Sequence, residues 1–89
     1  MARVVWSPAA LDEVARIYSY VAASSPVAAA RLARALKTAG DSLAQFELRG
    51  RLVGGNLREL TVVYPYIIRY RISGDTIRIL RVRHGMRQP

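Results

Sequence analysis

The sequence predicts an α+β domain of order β-α-α-β-β-β, with an N-terminal helical hairpin packed on one face of a small antiparallel sheet. Three observations carry this expectation. Two Ser-Pro pairs, Ser7-Pro8 and Ser25-Pro26, each precede an alanine-rich stretch whose apolar residues recur at three- and four-residue steps. From Leu57 onward the apolar period drops to two, and β-branched and aromatic residues dominate. The chain has 89 residues and 52% hydrophobic content, enough for one modest core over 1–89 and too little for two.

The first element, Arg3-Val4-Val5-Trp6, is short, β-branched and aromatic, and reads as a strand. Ser7 then supplies an N-cap and Pro8 the first helical position, with Asp12 and Glu13 near the positive end of the helix dipole. Leu11, Val14, Ile17, Tyr18 and Val21 make one apolar stripe, and the helix should fray near Ser24. A second helix starts at Ser25-Pro26 with Leu32, Leu36, Ala39 or Gly40, Leu43 and Phe46 as its stripe. So short a connection forces an antiparallel hairpin. Gly40 either weakens this helix, by ~1 kcal/mol relative to alanine, or marks a close approach.

The glycine-rich stretch 49–56 lacks the Gly-Lys-Ser/Thr of a phosphate loop and reads as a connection between helix and sheet. Three strands follow, at 57–63, 66–72 and 76–83, separated by Tyr64-Pro65 and by a tight hairpin at Ser73-Gly74-Asp75. In the middle strand Tyr66, Ile68, Tyr70 and Ile72 share one face, while Ile67, Arg69 and Arg71 share the other. Strict alternation in the last strand puts Arg81 and Arg83 on the face of Ile77 and Ile79, with Leu80, Val82 and His84 opposite. With helices on one side of the sheet only, an arginine cluster belongs on the open side.

The formal charge is +8, and it is unevenly spread. Residues 1–48 carry five basic and four acidic side chains, whereas residues 49–89 carry nine arginines against Glu59 and Asp75. Arginine presents a planar fork to carboxylate or phosphate, so the second half suits an anionic partner; a genome rich in arginine codons would also favour arginine over lysine. No cysteine and a single histidine leave neither a disulfide framework nor a thiolate or histidine metal site, and no cofactor is expected. No apolar run reaches membrane-spanning length, and Asp12, Glu13 and Arg16 interrupt the N-terminal stretch, so a cytoplasmic protein is expected.

The order of these elements, with these residues, resembles the RelE/ParE superfamily of bacterial type II toxins over essentially the whole chain, and resembles ParE more closely than RelE. The matching pieces are Val5-Trp6-Ser7-Pro8-Ala9-Ala10, Tyr18 and Tyr20, Gly50-Arg51, Leu57-Arg58-Glu59-Leu60, the tyrosine-rich middle strand, and Ile79-Leu80-Arg81-Val82-Arg83-His84-Gly85 with Arg87. The resemblance implies a plasmid-stabilising toxin held in a hetero-oligomer by a cognate, ParD-like antitoxin, touching operator DNA only through that antitoxin. Two activities occur in the superfamily. ParE-like members act on DNA gyrase; RelE-like members cut messenger RNA in the ribosomal A site without metal.

Metal-free RNA cleavage needs a base for the 2′-hydroxyl, an acid for the leaving oxygen and cations for the developing charge. The resemblance offers Arg58, His84 and Arg87 as the catalytic set, with Glu59 as a second base. Arg87 falls where RelE-like members carry a C-terminal arginine, and Arg58 where they carry a basic residue on the first sheet strand. An arginine expected early in the middle strand is replaced by Ile67, and no tyrosine follows the last strand before Pro89. His84 fits equally well as a strand-ending residue that only hydrogen-bonds its surroundings. The ParE-like alternative, in which Arg69, Arg71, Arg81, Arg83 and Arg87 form a cationic surface for gyrase or antitoxin, asks for no such constellation. Loss of toxicity in a degenerate member is the third possibility.

Overall fold

Residues 2–85 are described by the structure, a computed structural model. Strand β1 (Arg3–Trp6) leads into helix α1 (Pro8–Ala22), helix α2 (Pro26–Asp41) and a 3-10 turn over Ser42–Ala44. Four strands follow: β2 (Arg51–Gly54), β3 (Leu57–Leu60), β4 (Tyr66–Ser73) and β5 (Thr76–His84). They form one five-stranded sheet of order β1-β5-β4-β3-β2, in which β1 runs parallel to β5 and the other neighbours are antiparallel. The α+β class is as expected, but the sheet is mixed and holds one strand more than the sequence pattern suggests. The parallel pair is possible because the helical hairpin carries the chain across the sheet face between β1 and the strands that follow.

The extra strand lies in the glycine-rich stretch. Gly54 pairs with Leu57 across Gly55-Asn56, and Gly55 adopts φ +56°, so this segment is a hairpin rather than a connection. Its four residues are all exposed, which leaves no buried alternation to betray it in the sequence.

Both Ser-Pro starts hold. Ser7 Oγ accepts from the Ala10 amide at 3.0 Å and Ser25 Oγ from the Ala28 amide at 3.1 Å. The core joins Leu36 and Leu43 from the α2 side to Ile68, Tyr70, Ile77 and Ile79 from the sheet, all fully buried. Three members of the expected stripes are exposed: Leu11 at 51%, Tyr18 at 40% and Phe46 at 59%. Helix α1 instead turns Ala10, Val14 and Ile17 inward. Gly40 marks a close approach, because a Cβ there would collide with the Trp6 ring and press on Ile79.

One irregularity resets the last strand. Ile79 pairs with Tyr70 and Arg81 with Arg69, so Leu80 is an extra residue in β5. A β-bulge of this kind shifts side-chain parity by one. Ile77 and Ile79 before it and Val82 after it therefore all turn toward the helices, and all are buried. Arg81 and Arg83 lie opposite Arg69 and Ile67, on the other face. The expectation that these two arginines share a face with Ile77 and Ile79 is overturned by that single residue.

Candidate functional site

The face of the sheet away from the helices is an arginine lattice. Its rungs are read from the pairing: Arg51 opposite Glu59, Glu59 opposite Arg69, Arg69 opposite Arg81, and Arg71 opposite Arg78. Like charges directly opposite each other on one sheet face repel, so each arginine rung needs an anion from somewhere. The Arg69–Arg81 rung has two. Glu59 Oε2 accepts from Arg69 Nη2 at 2.6 Å and from Nε at 3.1 Å, with Arg51 Nη2 3.5 Å from the other carboxylate oxygen.

The second anion is Glu13 of α1, whose carboxylate reaches the edge of β5. One of its oxygens accepts from Arg81 Nη2 at 2.6 Å and from Nε at 2.8 Å, and the other from the Val82 amide at 2.7 Å. Glu13 raises the pKa of Arg81, through its hydrogen bond first and its charge second. β1 ends at Trp6, so the outer edge of β5 beyond Ile79 has no strand beside it. Ser7 and Glu13 take its place. The Ser7 amide donates to Ile79 O, Ser7 Oγ donates to Leu80 O, and Glu13 accepts from Val82. Glu13, first read as a helix-dipole residue, thus caps the bulge and neutralises Arg81 together.

No such anion meets the second rung. Arg71 and Arg78 are exposed, and neither they nor Arg83 form an ion pair among the described residues. Of the five arginines expected to form the partner surface, Arg69 and Arg81 are therefore internally neutralised, Arg71 and Arg83 are open, and Arg87 lies outside the described residues. Arg78 was missing from the expected set. Its signal was present in the alternation with Ile77 and Ile79, but only the register shows that it faces Arg71.

Of the residues named for RNA cleavage, Arg87 lies outside the described residues, and Arg58, Glu59 and His84 do not converge. Arg58 Nη1 donates to Gly50 O at 2.8 Å and to Leu48 O at 3.4 Å, tying down the chain that enters β2. The same segment is held by buried Tyr70, whose hydroxyl donates to Glu47 O at 2.7 Å and accepts from the Gly50 amide at 2.8 Å. Burial pushes the Tyr70 phenol up, against the Gly50 hydrogen bond and the nearby Arg58 charge, so it remains a neutral donor. Gly50 must be glycine here, since a Cβ would meet the Tyr70 ring at 2.7 Å. His84 sits elsewhere, edge-on to Tyr66 with ring centroids 5.4 Å apart at the end of β5. Arg58 pairs with Tyr70 and His84 with Tyr66, on opposite sides of β4. Strand geometry places their backbones about 16 Å apart. Glu59 is already occupied by Arg69 and Arg51. Among the described residues no group of three His, Cys, Asp or Glu side chains comes together that could hold a metal ion.

Residues 4–89 match the family model of the ParE toxin of the type II toxin-antitoxin system parDE. The chain belongs to the ParE toxin family. Among curated relatives of this ParE-family toxin, the toxin RelE2 of Caulobacter vibrioides is 49% identical over 98% of this chain and 99% of its own. The putative toxin Y4kP of Sinorhizobium fredii is 40% identical over 97% of this chain and 91% of its own. A solved structure of the chromosomal ParDE TA system from P. aeruginosa superposes with a TM-score of 0.81 at 25% identity, covering 94% of this chain and 96% of that one. The ParE-family toxin shares with it the whole architecture of helices packed on a sheet.

Proposed function

We propose that this ParE-family toxin inhibits DNA gyrase and is neutralised by direct binding of a cognate antitoxin. The observation that carries this reading is the Arg71–Arg78 rung, with Arg83 on the same face two rungs further along, past the compensated Arg69–Arg81 pair. These cations are left unpaired on an open sheet face, while the neighbouring rung is fully compensated. A protein keeps such a cluster at some cost to its own stability, and an acidic partner surface relieves it. The toxin resides in the cytoplasm, is held inactive in a hetero-oligomer that touches operator DNA through the antitoxin, and would stabilise a plasmid that carries both genes. No enzymatic step is required of it.

The second reading, a ribosome-dependent mRNA interferase, is favoured by one observation: relatives in Caulobacter vibrioides carry the name RelE. It would have to draw on Arg58, His84 and Arg87, of which Arg58 is spent on backbone carbonyls. Purified toxin assayed in parallel for gyrase supercoiling and for cleavage of ribosome-bound mRNA separates the two. Loss of supercoiling with intact mRNA is expected; cleaved A-site codons with normal supercoiling would overturn the gyrase reading.

A further inference from the structure

A second cationic surface lies on the helix side of the molecule, away from the arginine lattice. Along α2 the residues Arg31, Arg34, Ala35 and Thr38 fall on one face, at the three- and four-residue steps that align side chains on a helix. This face forms one wall of a groove; the connection between β3 and β4, with Val62 and Val63, forms the other. Arg49 closes one end. Its Nη1 donates to Ser42 Oγ at 3.2 Å, and Ser42 in turn donates to Ala39 O at 2.6 Å, so this guanidinium is anchored to the end of α2.

The composition of the groove specifies its occupant. Three guanidinium groups rim it, Ala35, Ala39, Val62 and Val63 provide apolar surface, and no acidic side chain lines it. Asp41, on the same helix, is committed to Lys37 at 2.7 Å and to Trp6 Nε1 at 3.0 Å. Val62 is 51% exposed in the connection, an apolar side chain presented to solvent with nothing over it among the described residues. A peptide offering carboxylates to the rim and an aliphatic side chain to the floor satisfies both features; a nucleic acid satisfies only the first, since no aromatic side chain lines the groove for base stacking.

We infer that this groove receives an acidic, aliphatic segment of the cognate antitoxin, anchored on Arg31, Arg34 and Arg49. The inference rests on the toxin-antitoxin reading and deepens it, because it assigns the antitoxin and the target to opposite faces of the molecule. The antitoxin grips the helix side, and the sheet side carries the arginines proposed for gyrase.

The test titrates the purified toxin with the antitoxin encoded by the neighbouring reading frame, near physiological salt, and compares three double variants. Arg31→Glu with Arg34→Glu should weaken the complex by about a hundredfold, as expected for two desolvated interfacial charge pairs. Arg31→Lys with Arg34→Lys should retain most of the affinity. Arg71→Glu with Arg78→Glu, on the far face, should bind as the wild type does yet lose growth arrest. Both helix arginines are exposed, so circular dichroism should show an unchanged fold; Val62→Asp, in the opposite wall, is an independent probe that should also weaken the complex. If the groove charge reversal and Val62→Asp both bind like the wild type, the groove assignment fails while the toxin-antitoxin reading stands. If wild-type toxin forms no complex with that antitoxin, the toxin-antitoxin reading fails and takes the groove with it. If Arg71→Glu with Arg78→Glu weakens the complex while the groove charge reversal does not, the antitoxin occupies the sheet face and the inference is overturned.

Discussion

Two neighbouring rungs of the same pair of strands carry the same residue type and have opposite fates. At Arg69–Arg81 the cross-strand repulsion is absorbed by Glu59 from β3 and Glu13 from α1, and the four side chains knit the sheet to the first helix. At Arg71–Arg78, one step along β4, no carboxylate arrives. A charge on a sheet face is therefore structural or available according to what other elements bring to it, and its identity as arginine says nothing about which. The compensated rung is also the one beside the bulge, where an orphaned amide needs an acceptor and obtains it from the same glutamate.

The largest expected effect comes from the other face of β4, between the two rungs. Tyr70→Phe leaves the Gly50 amide and the Glu47 carbonyl unsatisfied beside the core, which should cost about 2–4 kcal/mol in urea unfolding. That loss is the yardstick for the arginine face, since it leaves both rungs chemically intact. Glu13→Ala should cost about 1–3 kcal/mol, because it orphans the Val82 amide and exposes Arg81 to Arg69. A loss under a few tenths of a kcal/mol would mean that the bulge finds water instead and that the two rungs do not differ as described.

Arg71→Ala should change stability by less than about 0.5 kcal/mol, as for an exposed side chain without a partner, and Arg78→Ala likewise; either should reduce growth arrest. If these replacements destabilise as much as Glu13→Ala does, the open rung is structural after all. The smallest effect concerns Asp41. Partial burial raises its pKa, but the hydrogen bonds from Lys37 and Trp6 outweigh that and hold the carboxyl below its ordinary value. A lowered native pKa stabilises the fold above the unfolded value of ~3.9 and is lost as pH falls through the native one. Melting curves of Asp41→Asn and wild type should therefore converge in strong acid and separate above about pH 4; a gap that widened on acidification would contradict the direction.

Periodicity and capping chemistry carried most of the fold. Ser7-Pro8 and Ser25-Pro26 mark both helix starts because an N-cap is local chemistry, and the two-residue period of β4 shows its core face because one side of that strand packs on the core. Strand β2 escaped because all of its residues are exposed, so no alternation is imposed on it. Phe46 misled for the converse reason: its spacing continued the α2 stripe, but α2 ends at Asp41 and the chain leaves the core. At the candidate site, the arginine surplus of residues 49–89 was plain, yet its division into paired and unpaired cations was not.

What the sequence by itself determined is whatever a few adjacent residues can enforce: the helix starts, the tight turn at Gly74 with φ +63°, the two-residue period and the skew of charge. Only the tertiary structure decided which strand lies parallel to which, where Leu80 breaks the alternation, and which arginines are neutralised. Glu13 and Arg81 stand 68 residues apart and meet because the edge of β5 beyond Ile79 needs an acceptor for the Val82 amide. Local propensity cannot encode that need, since it exists only once the sheet has formed.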